Sequence, residues 1–183
     1  MNAKVQIQFP EQLVPFYSAN DVIKVYTLAS ETSIQLRTLL NQIKKSASFV
    51  KTYAKEHNID DSIFNEMENL IAVAITLSDI QLNDFNNLKN KLEETIEQFD
   101  SGDLLDVYSY IHEATMWLNT LCYQIVNEFS ILKKSIKNSI HNSVFSTLEN
   151  LVFATEYIAI RKTDALNIQR EKYEIEWEAT KNG

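Results

Sequence analysis

The chain has 183 residues, 45% of them hydrophobic, and a formal net charge of −8. This size and composition are typical of a single soluble domain with a buried core, and they exclude a largely disordered chain. Glycine and proline occur only twice each. Because tight β-turns and phosphate-binding loops need glycine, this scarcity excludes β-sandwiches, β-barrels and nucleotide-binding α/β folds, and it favours long helices.

Residues 1–18 are predicted to form an extended N-terminal arm. In the stretch "AKVQIQFPEQLVP", Val5, Ile7 and Phe9 alternate with polar residues, which is the two-residue period of a β-strand. These apolar side chains need a second apolar surface. They can pack on the chain's own helices, or the arm can pair with a strand of a second chain, since a lone strand leaves its backbone groups unpaired.

Residues 19–180 are predicted to form one bundle, because apolar residues recur every seven positions in four consecutive segments. We expect helices at about residues 20–56, 61–99, 103–137 and 142–180. Gly102 is expected to adopt a left-handed conformation at the end of the second helix, and Asp103 is expected to cap the third helix.

The fourth segment has the weakest pattern. Its predicted buried row is Val144, Leu151, Ile158 and Ala165, supported by Leu148. Beyond this row the charge rises, and oppositely charged residues stand four apart, as they do on an exposed helix. In the stretch "YEIEW", Tyr173 and Trp177 are also four apart and therefore share a face, which we interpret as a candidate surface for a partner.

Helices of about 35 residues joined by short loops predict an all-α fold, an antiparallel up-down-up-down four-helix bundle preceded by the short arm. The seven-residue repeat further predicts left-handed supercoiling. The alternative architecture is a helical hairpin that completes its core by dimerising.

No catalytic, cofactor or metal site is predicted, and we expect that the protein is not an enzyme. Cys122, the single cysteine, lies in an apolar row of the third segment, where a cysteine is usually an inert hydrophobe. The three histidines are His57, His112 and His141, and none follows a glutamate by three residues, as the Glu-x-x-His pairs of di-iron bundles require.

The charge is unevenly distributed along the chain. Residues 58–113 hold thirteen acidic and two basic residues, a net charge of −11. This acidic middle disfavours nucleic acid, whose phosphates need clustered lysine and arginine, and it suits a basic protein partner. The most apolar run, "LIAVAITL" at residues 70–77, is too short for a membrane helix, so the cytoplasm is the expected location.

These observations favour a non-catalytic helical interaction module. We expect it to bind a protein partner, or to self-associate, through the N-terminal arm or through a helix face that includes Tyr173 and Trp177.

Two alternative functions stay open. An amphipathic bundle can insert apolar faces into lipid, and residues 104–132, with Trp117 and three tyrosines, are the most lipid-like segment. The stretch "KVQIQFPEQLV" is also similar to the start of ribbon-helix-helix DNA-binding proteins. This resemblance implies an antitoxin-like role in which a strand pairs in a dimer and Lys4, Gln6 and Gln8 read DNA bases.

Overall fold

The computed structural model describes residues 16–93 and 98–181. They form the predicted all-α, up-down-up-down four-helix bundle. Four helices and two short strands follow one another along the chain: β1 (Tyr17–Ser18), α1 (Ala19–Glu56), α2 (Asn65–Glu93), β2 (Gln98–Phe99), α3 (Ser101–Ile136) and α4 (Ser146–Lys181). A one-turn 3-10 helix precedes α2 at Asp61–Phe64, and another precedes α4 at Asn142–Phe145.

The seven-residue rows predicted most of the core. The two predicted rows of the first segment are buried throughout, with Leu36 and Leu40 at 0% exposure. Their members are Val22, Ala29, Leu36, Ile43 and Val50 in one row and Tyr26, Ser33, Leu40, Ala47 and Ala54 in the other. The structure corrects the row of the fourth segment. Leu148 is buried as predicted. Val144, Leu151 and Ile158 are only half-buried and Ala165 is exposed, whereas Val152, Thr155, Ala159, Leu166 and Tyr173 face the core. In α4 apolar residues occupy two neighbouring stripes, and the stripe with small Thr155 and Ala159 allows the closer helix packing.

The boundary between the second and third helices also differs from the prediction. Residues 98–99 are a strand and not the end of a helix, and α3 begins at Ser101. Gly102 therefore lies in the first turn of α3, and none of the described glycines has a positive φ. Its lack of a side chain matters for packing, because a Cβ at Gly102 would lie 2.8 Å from Nε1 of Trp177.

The cap of α3 is Asp100, and Asp103 has a supporting role. The Asp100 carboxylate accepts hydrogen bonds from the backbone N–H groups of Gly102 and Asp103, and the Asp103 carboxylate accepts one from the Asp100 N–H. Ser18 and Asp21 form a similar box at the start of α1, where the backbone N–H and the hydroxyl of Ser18 both donate to the Asp21 carboxylate. Such reciprocal bonds satisfy backbone groups that helix ends leave free.

The resemblance of the two caps extends along the described helices, which form two equivalent helical hairpins, α1–α2 and α3–α4. Position 18 is equivalent to position 100 at the caps of α1 and α3, and position 64 is equivalent to position 145 before α2 and α4. Along the first helix of each hairpin, several equivalent residues are identical: Asp21 and Asp103, Tyr26 and Tyr108, Leu36 and Leu118, Ile43 and Ile125, Lys51 and Lys133.

Equivalent contacts recur in both hairpins. Lys51 binds Glu68 at 2.7 Å, and the equivalent Lys133 binds Glu149 at 2.7 Å. Phe64 and Phe145 end the 3-10 helices before α2 and α4, at equivalent corners of the two hairpins, and each has 0% exposure. β1 and β2 pair antiparallel, and the equivalent residues Tyr17 and Phe99 stand opposite one another. The hairpins are therefore related by an approximate two-fold axis that passes near this pair.

Several polar residues inside the core are bonded to helix backbones. Gln81 on α2 donates from Nε2 to the carbonyl of Ala114 on α3 at 2.6 Å, which links the two hairpins. The hydroxyls of Ser78 and Thr115 donate to carbonyls of their own helices, those of Ile75 and Ile111. The Gln81 bond supports the interpretation that core polar residues fix the relative position of the helices.

The corner phenylalanines generate the first prediction. We expect Phe64→Ala and Phe145→Ala each to lower the free energy of unfolding by about 3–5 kcal/mol, because each leaves a cavity at a fully buried site. Urea unfolding followed by circular dichroism measures this. Phe49→Ala removes the same atoms from a side chain that is 62% exposed, and we expect it to change the free energy by less than about 0.5 kcal/mol. A loss at position 145 as small as that at position 49 would contradict the equivalence of the corners.

The α1 cap generates a prediction about pH. The hydrogen bonds from Ser18, together with the bond from Lys24, lower the pKa of Asp21 from 3.8 to about 2. A depressed carboxylate pKa stabilises the fold above the ordinary pKa, and this stabilisation is lost as the pH falls towards 2. Asp21→Asn should therefore cost roughly 0.5–1 kcal/mol at neutral pH and progressively less below pH 4.

Urea unfolding at a series of pH values tests this dependence. Glu31→Gln, which neutralises an exposed carboxylate on the same helix, is the matched control and should show no such convergence with the parent protein. A constant difference between Asp21→Asn and the parent down to low pH would refute the role of the charged cap.

Candidate functional site

The arm residues that we predicted to contact a partner, Val5, Ile7 and Phe9, lie outside the described residues, so their role stays a prediction. The described end of the arm, Tyr17–Ser18, pairs with the chain's own β2. For these two residues, the strand partner is therefore within the same molecule.

Tyr173 and Trp177, the other predicted contact residues, make contacts inside the molecule. Tyr173 is 9% exposed and lies between Tyr17, at 5.5 Å between ring centroids, and Tyr108, at 5.2 Å. Trp177 is half-buried beside Gly102, and the ammonium of Lys181 lies 3.1 Å from the centre of its ring. The Tyr173 ring is thus mostly buried and packs with the core, and its exposed part lines an open pocket with Tyr17 and Tyr108. Its contact with a partner stays a prediction.

The same end of the bundle holds a partly buried hydrogen bond that sequence reasoning did not find. The Tyr17 hydroxyl donates to the Glu176 carboxylate. Burial, reinforced by this hydrogen bond, raises the pKa of Tyr17 far above its ordinary value of 10.0. The predicted pairs Arg170–Glu174 and Lys172–Glu176 are present on the surface of α4. The hydrogen bond between Tyr17 and Glu176 fastens the end of α4 to β1, so this end does not project freely.

The titratable residues of the described chain do not converge on one site. His57 stacks on Tyr53, and His141 caps the turn before α4 by accepting a hydrogen bond from the Ser143 N–H. Burial and the charge of Arg170 lower the pKa of His112. Within residues 16–93 and 98–181, no cluster of three or more His, Cys, Asp or Glu side chains could hold a metal ion. None of the helices in these ranges is long and apolar enough to cross a membrane.

The surface feature that stands out is an apolar area on the outside of α3 and α4, which we call the α3–α4 face. It consists of five side chains that are 40–61% exposed: Met116, Tyr123, Phe153, Tyr157 and Ile160. Tyr123 and Met116 lie seven and fourteen residues before Ser130, and Ser130 lines a pocket between α3 and α4 together with Phe153. Residues seven apart share a helix stripe, so the five side chains lie on one side of the hairpin.

The equivalent face of the first hairpin is more polar. Asn41, Ala72, Thr76 and Asp79 occupy the positions of Tyr123, Phe153, Tyr157 and Ile160. Of the five equivalent residues, Ile34, at the position of Met116, keeps a large apolar side chain and Ala72 a small one. Asp79 is also engaged in an ion pair with Arg37 at 2.8 Å. Since the two hairpins share one architecture, the fold itself does not require the apolar residues of the α3–α4 face.

Cys122 generates a prediction about reactivity. Burial, with a smaller contribution from the charge of Glu156, raises the pKa of the thiol from 9.0 to about 12. Because the thiolate is the reactive form, the folded protein should react with a disulfide reagent at pH 8 at least about a hundredfold more slowly than the unfolded chain. The absorbance of the released thiolate measures both rates. Similar rates in native buffer and in guanidinium would show that the bundle opens readily around Cys122.

Taken together, the arrangement can bind other molecules by packing and charge, and the described residues hold no set of nucleophile, base and orienting group at hydrogen-bond distances. The sequence matches no family model, no curated protein and no solved structure.

Proposed function

We propose that this protein is a non-catalytic helical interaction module that binds a protein partner through the α3–α4 face. The observation that carries the proposal is the contrast between the two hairpins. The same scaffold presents apolar and aromatic side chains on α3 and α4, but mostly polar ones at the equivalent positions of α1 and α2.

The composition of the α3–α4 face supports binding to a protein. Tyrosine, phenylalanine and methionine are enriched at protein interfaces, and the rigid aromatic rings bury a large area at a low cost in conformational entropy. Two adjacent antiparallel helices also leave a shallow groove between them, and an amphipathic helix can lay its apolar stripe into such a groove. A helix of a partner protein is therefore the proposed occupant.

The acidic residues support a basic character of that partner. Residues 58–113, with their net charge of −11, contribute to α2 and to the first turns of α3. A field of this sign accelerates the encounter with a basic protein, particularly at low salt. In this proposal charge sets the association rate, and the apolar side chains supply most of the affinity.

The alternative of a lipid surface has less support. Trp117 is 55% exposed, which would suit an interfacial position, but residues 104–132 contain no lysine or arginine that would attract an anionic membrane. Binding through the arm, by protein contacts or by the ribbon-helix-helix-like strand, stays a prediction.

The test compares capture of partners by matched variants in an extract of the native host, with quantitative mass spectrometry as the readout. We expect Tyr123→Ser/Ile160→Ser to lose the partner by about tenfold or more, since interface aromatic and aliphatic anchors typically contribute over 1 kcal/mol each. Ile34→Ser/Phe49→Ser removes exposed apolar side chains from α1 and should retain the partner. Equal capture by both variants, or none by the parent protein, would refute the proposal.

Two further measurements separate the alternatives. Light scattering on the parent protein and on Tyr123→Ser/Ile160→Ser shows whether the partner is a second copy, in which case the dimer of the parent dissociates in the variant. Flotation with phosphatidylserine vesicles tests the membrane alternative, and binding that the same substitutions abolish would replace the protein partner by lipid.

A further inference from the structure

An open pocket of about 560 Å³ lies between α3 and α4 at the end of the bundle opposite to the strands. Three lysines from the end of α3, Lys133, Lys134 and Lys137, line it, together with the polar side chains of Asn138 and Asn142. This volume falls within the range of pockets that hold small organic ligands.

The pocket has an excess of positive charge. Lys133 donates to both carboxylate oxygens of Glu149, at 2.7 and 2.8 Å, so these two charges compensate one another. Lys134 and Lys137 are exposed, and no carboxylate within the described ranges forms an ion pair with either. With three lysines and one glutamate in its lining, the pocket carries a net charge of +2.

The first hairpin provides an internal comparison. It keeps the ion pair, as Lys51 with Glu68, and it keeps Lys55 at the position of Lys137. The other equivalent positions differ in charge: Thr52 replaces Lys134, Glu56 replaces Asn138 and Asp61 replaces Asn142. Two lysines and three carboxylates give the first hairpin a net charge of −1 at this place.

Lysines near the end of a helix also interact favourably with its partial negative charge. That interaction does not account for the difference between the hairpins, because α1 ends stably with Glu56 in its last turn. Only the second hairpin combines an added lysine with the loss of two carboxylates. A bound anion would favour all three changes.

The wall of the pocket also differs between the hairpins, in a way that suits a bound ligand. Phe129 and Phe153 replace Ala47 and Ala72 of the first hairpin. Their rings meet edge to face with centroids 6.5 Å apart, and Phe153 is 45% exposed. One side of the pocket therefore offers an apolar aromatic surface beside the ammonium groups.

We propose that this pocket binds a phosphate monoester, with the phosphate at Lys134 and Lys137 and the organic group against Phe153. A phosphate monoester carries a charge close to −2 at neutral pH, which matches the lining charge. Lysine ammonium groups bind phosphate as point charges, and the amides of Asn138 and Asn142 add hydrogen-bond donors. The pocket adjoins the α3–α4 face and shares Phe153 with it. Lys134 and Lys137 lie outside that face, so substitutions of these two lysines test the pocket and not the docking of a protein helix.

The test is titration of the full chain with phenyl phosphate, followed by calorimetry and by amide chemical shifts. Lys134→Gln/Lys137→Gln should weaken binding by about tenfold or more, since charge-assisted hydrogen bonds are the strong ones. Lys45→Gln/Lys55→Gln removes two exposed lysines from the first hairpin and should change the affinity by less than about twofold. Equal weakening by both variants would show that binding depends only on the net charge of the protein, and it would overturn the proposal. Absence of phenyl phosphate binding to the parent protein would overturn it as well.

The organic part of the ligand is tested with Phe153→Ala. This variant should bind phenyl phosphate severalfold more weakly and inorganic phosphate unchanged. If the parent protein binds inorganic phosphate as tightly as phenyl phosphate, the aromatic contact is refuted. All variants change exposed side chains, and their melting temperatures show whether each is folded.

A phosphate monoester can be a soluble metabolite or the headgroup of a lipid, and two arms distinguish these sources. Flotation with phosphatidylcholine vesicles that contain phosphatidic acid, lost on Lys134→Gln/Lys137→Gln, would assign the headgroup. Binding of phenyl phosphate without flotation would assign a soluble ester. Both results support the pocket, whereas vesicle binding that is insensitive to these substitutions, without binding of phenyl phosphate, overturns it.

Discussion

The fold depends on mutual burial of the apolar stripes of two equivalent hairpins. A hairpin alone covers only part of its stripe, so Leu36 and Leu118, which are equivalent and nearly inaccessible, need the other hairpin to exclude water. Burying each such side chain contributes about 1.5–3 kcal/mol, far more than any surface ion pair. The dimerising hairpin considered from sequence is thus realised within one chain, with both copies covalently joined.

The seven-residue rows predicted the helices of the first three segments and most of their core, because long amphipathic helices carry a strong periodic signal. They did not predict β2, since a strand of two residues has no detectable period. They also did not predict which of the two apolar stripes of α4 faces the core. The internal duplication escaped because its period spans a whole hairpin and most equivalent residues are similar in polarity without being identical. A comparison of the chain with itself, guided by the caps at Asp21 and Asp103, would have revealed it.

The candidate surfaces were harder to predict than the fold. Tyr173 and Trp177 share a helix face, but periodicity does not say whether that face points inward, and Tyr173 belongs to the core. The α3–α4 face consists of apolar residues beside the main stripe, which look in sequence like a broad core. Only the packing of α3 against α4 shows that Tyr123 and Ile160 remain accessible. The sequence did contain one signal for the α3–α4 face, which is that most of the equivalent positions in the first hairpin are polar.

When a chain contains two equivalent hairpins, one of them can acquire contacts that the other lacks. The contact between Gly102 and Trp177 is an example. Asn20 stands at the position equivalent to Gly102, so this close approach belongs to one hairpin only. The indole lies against the first turn of α3 while it is anchored on the last turns of α4, at the end where the strands meet. With Trp117 replaced by phenylalanine, the fluorescence of Trp177 would report locally on the joining of the two chain segments there, and it would give this nearly symmetric molecule an optical label on one of its two halves.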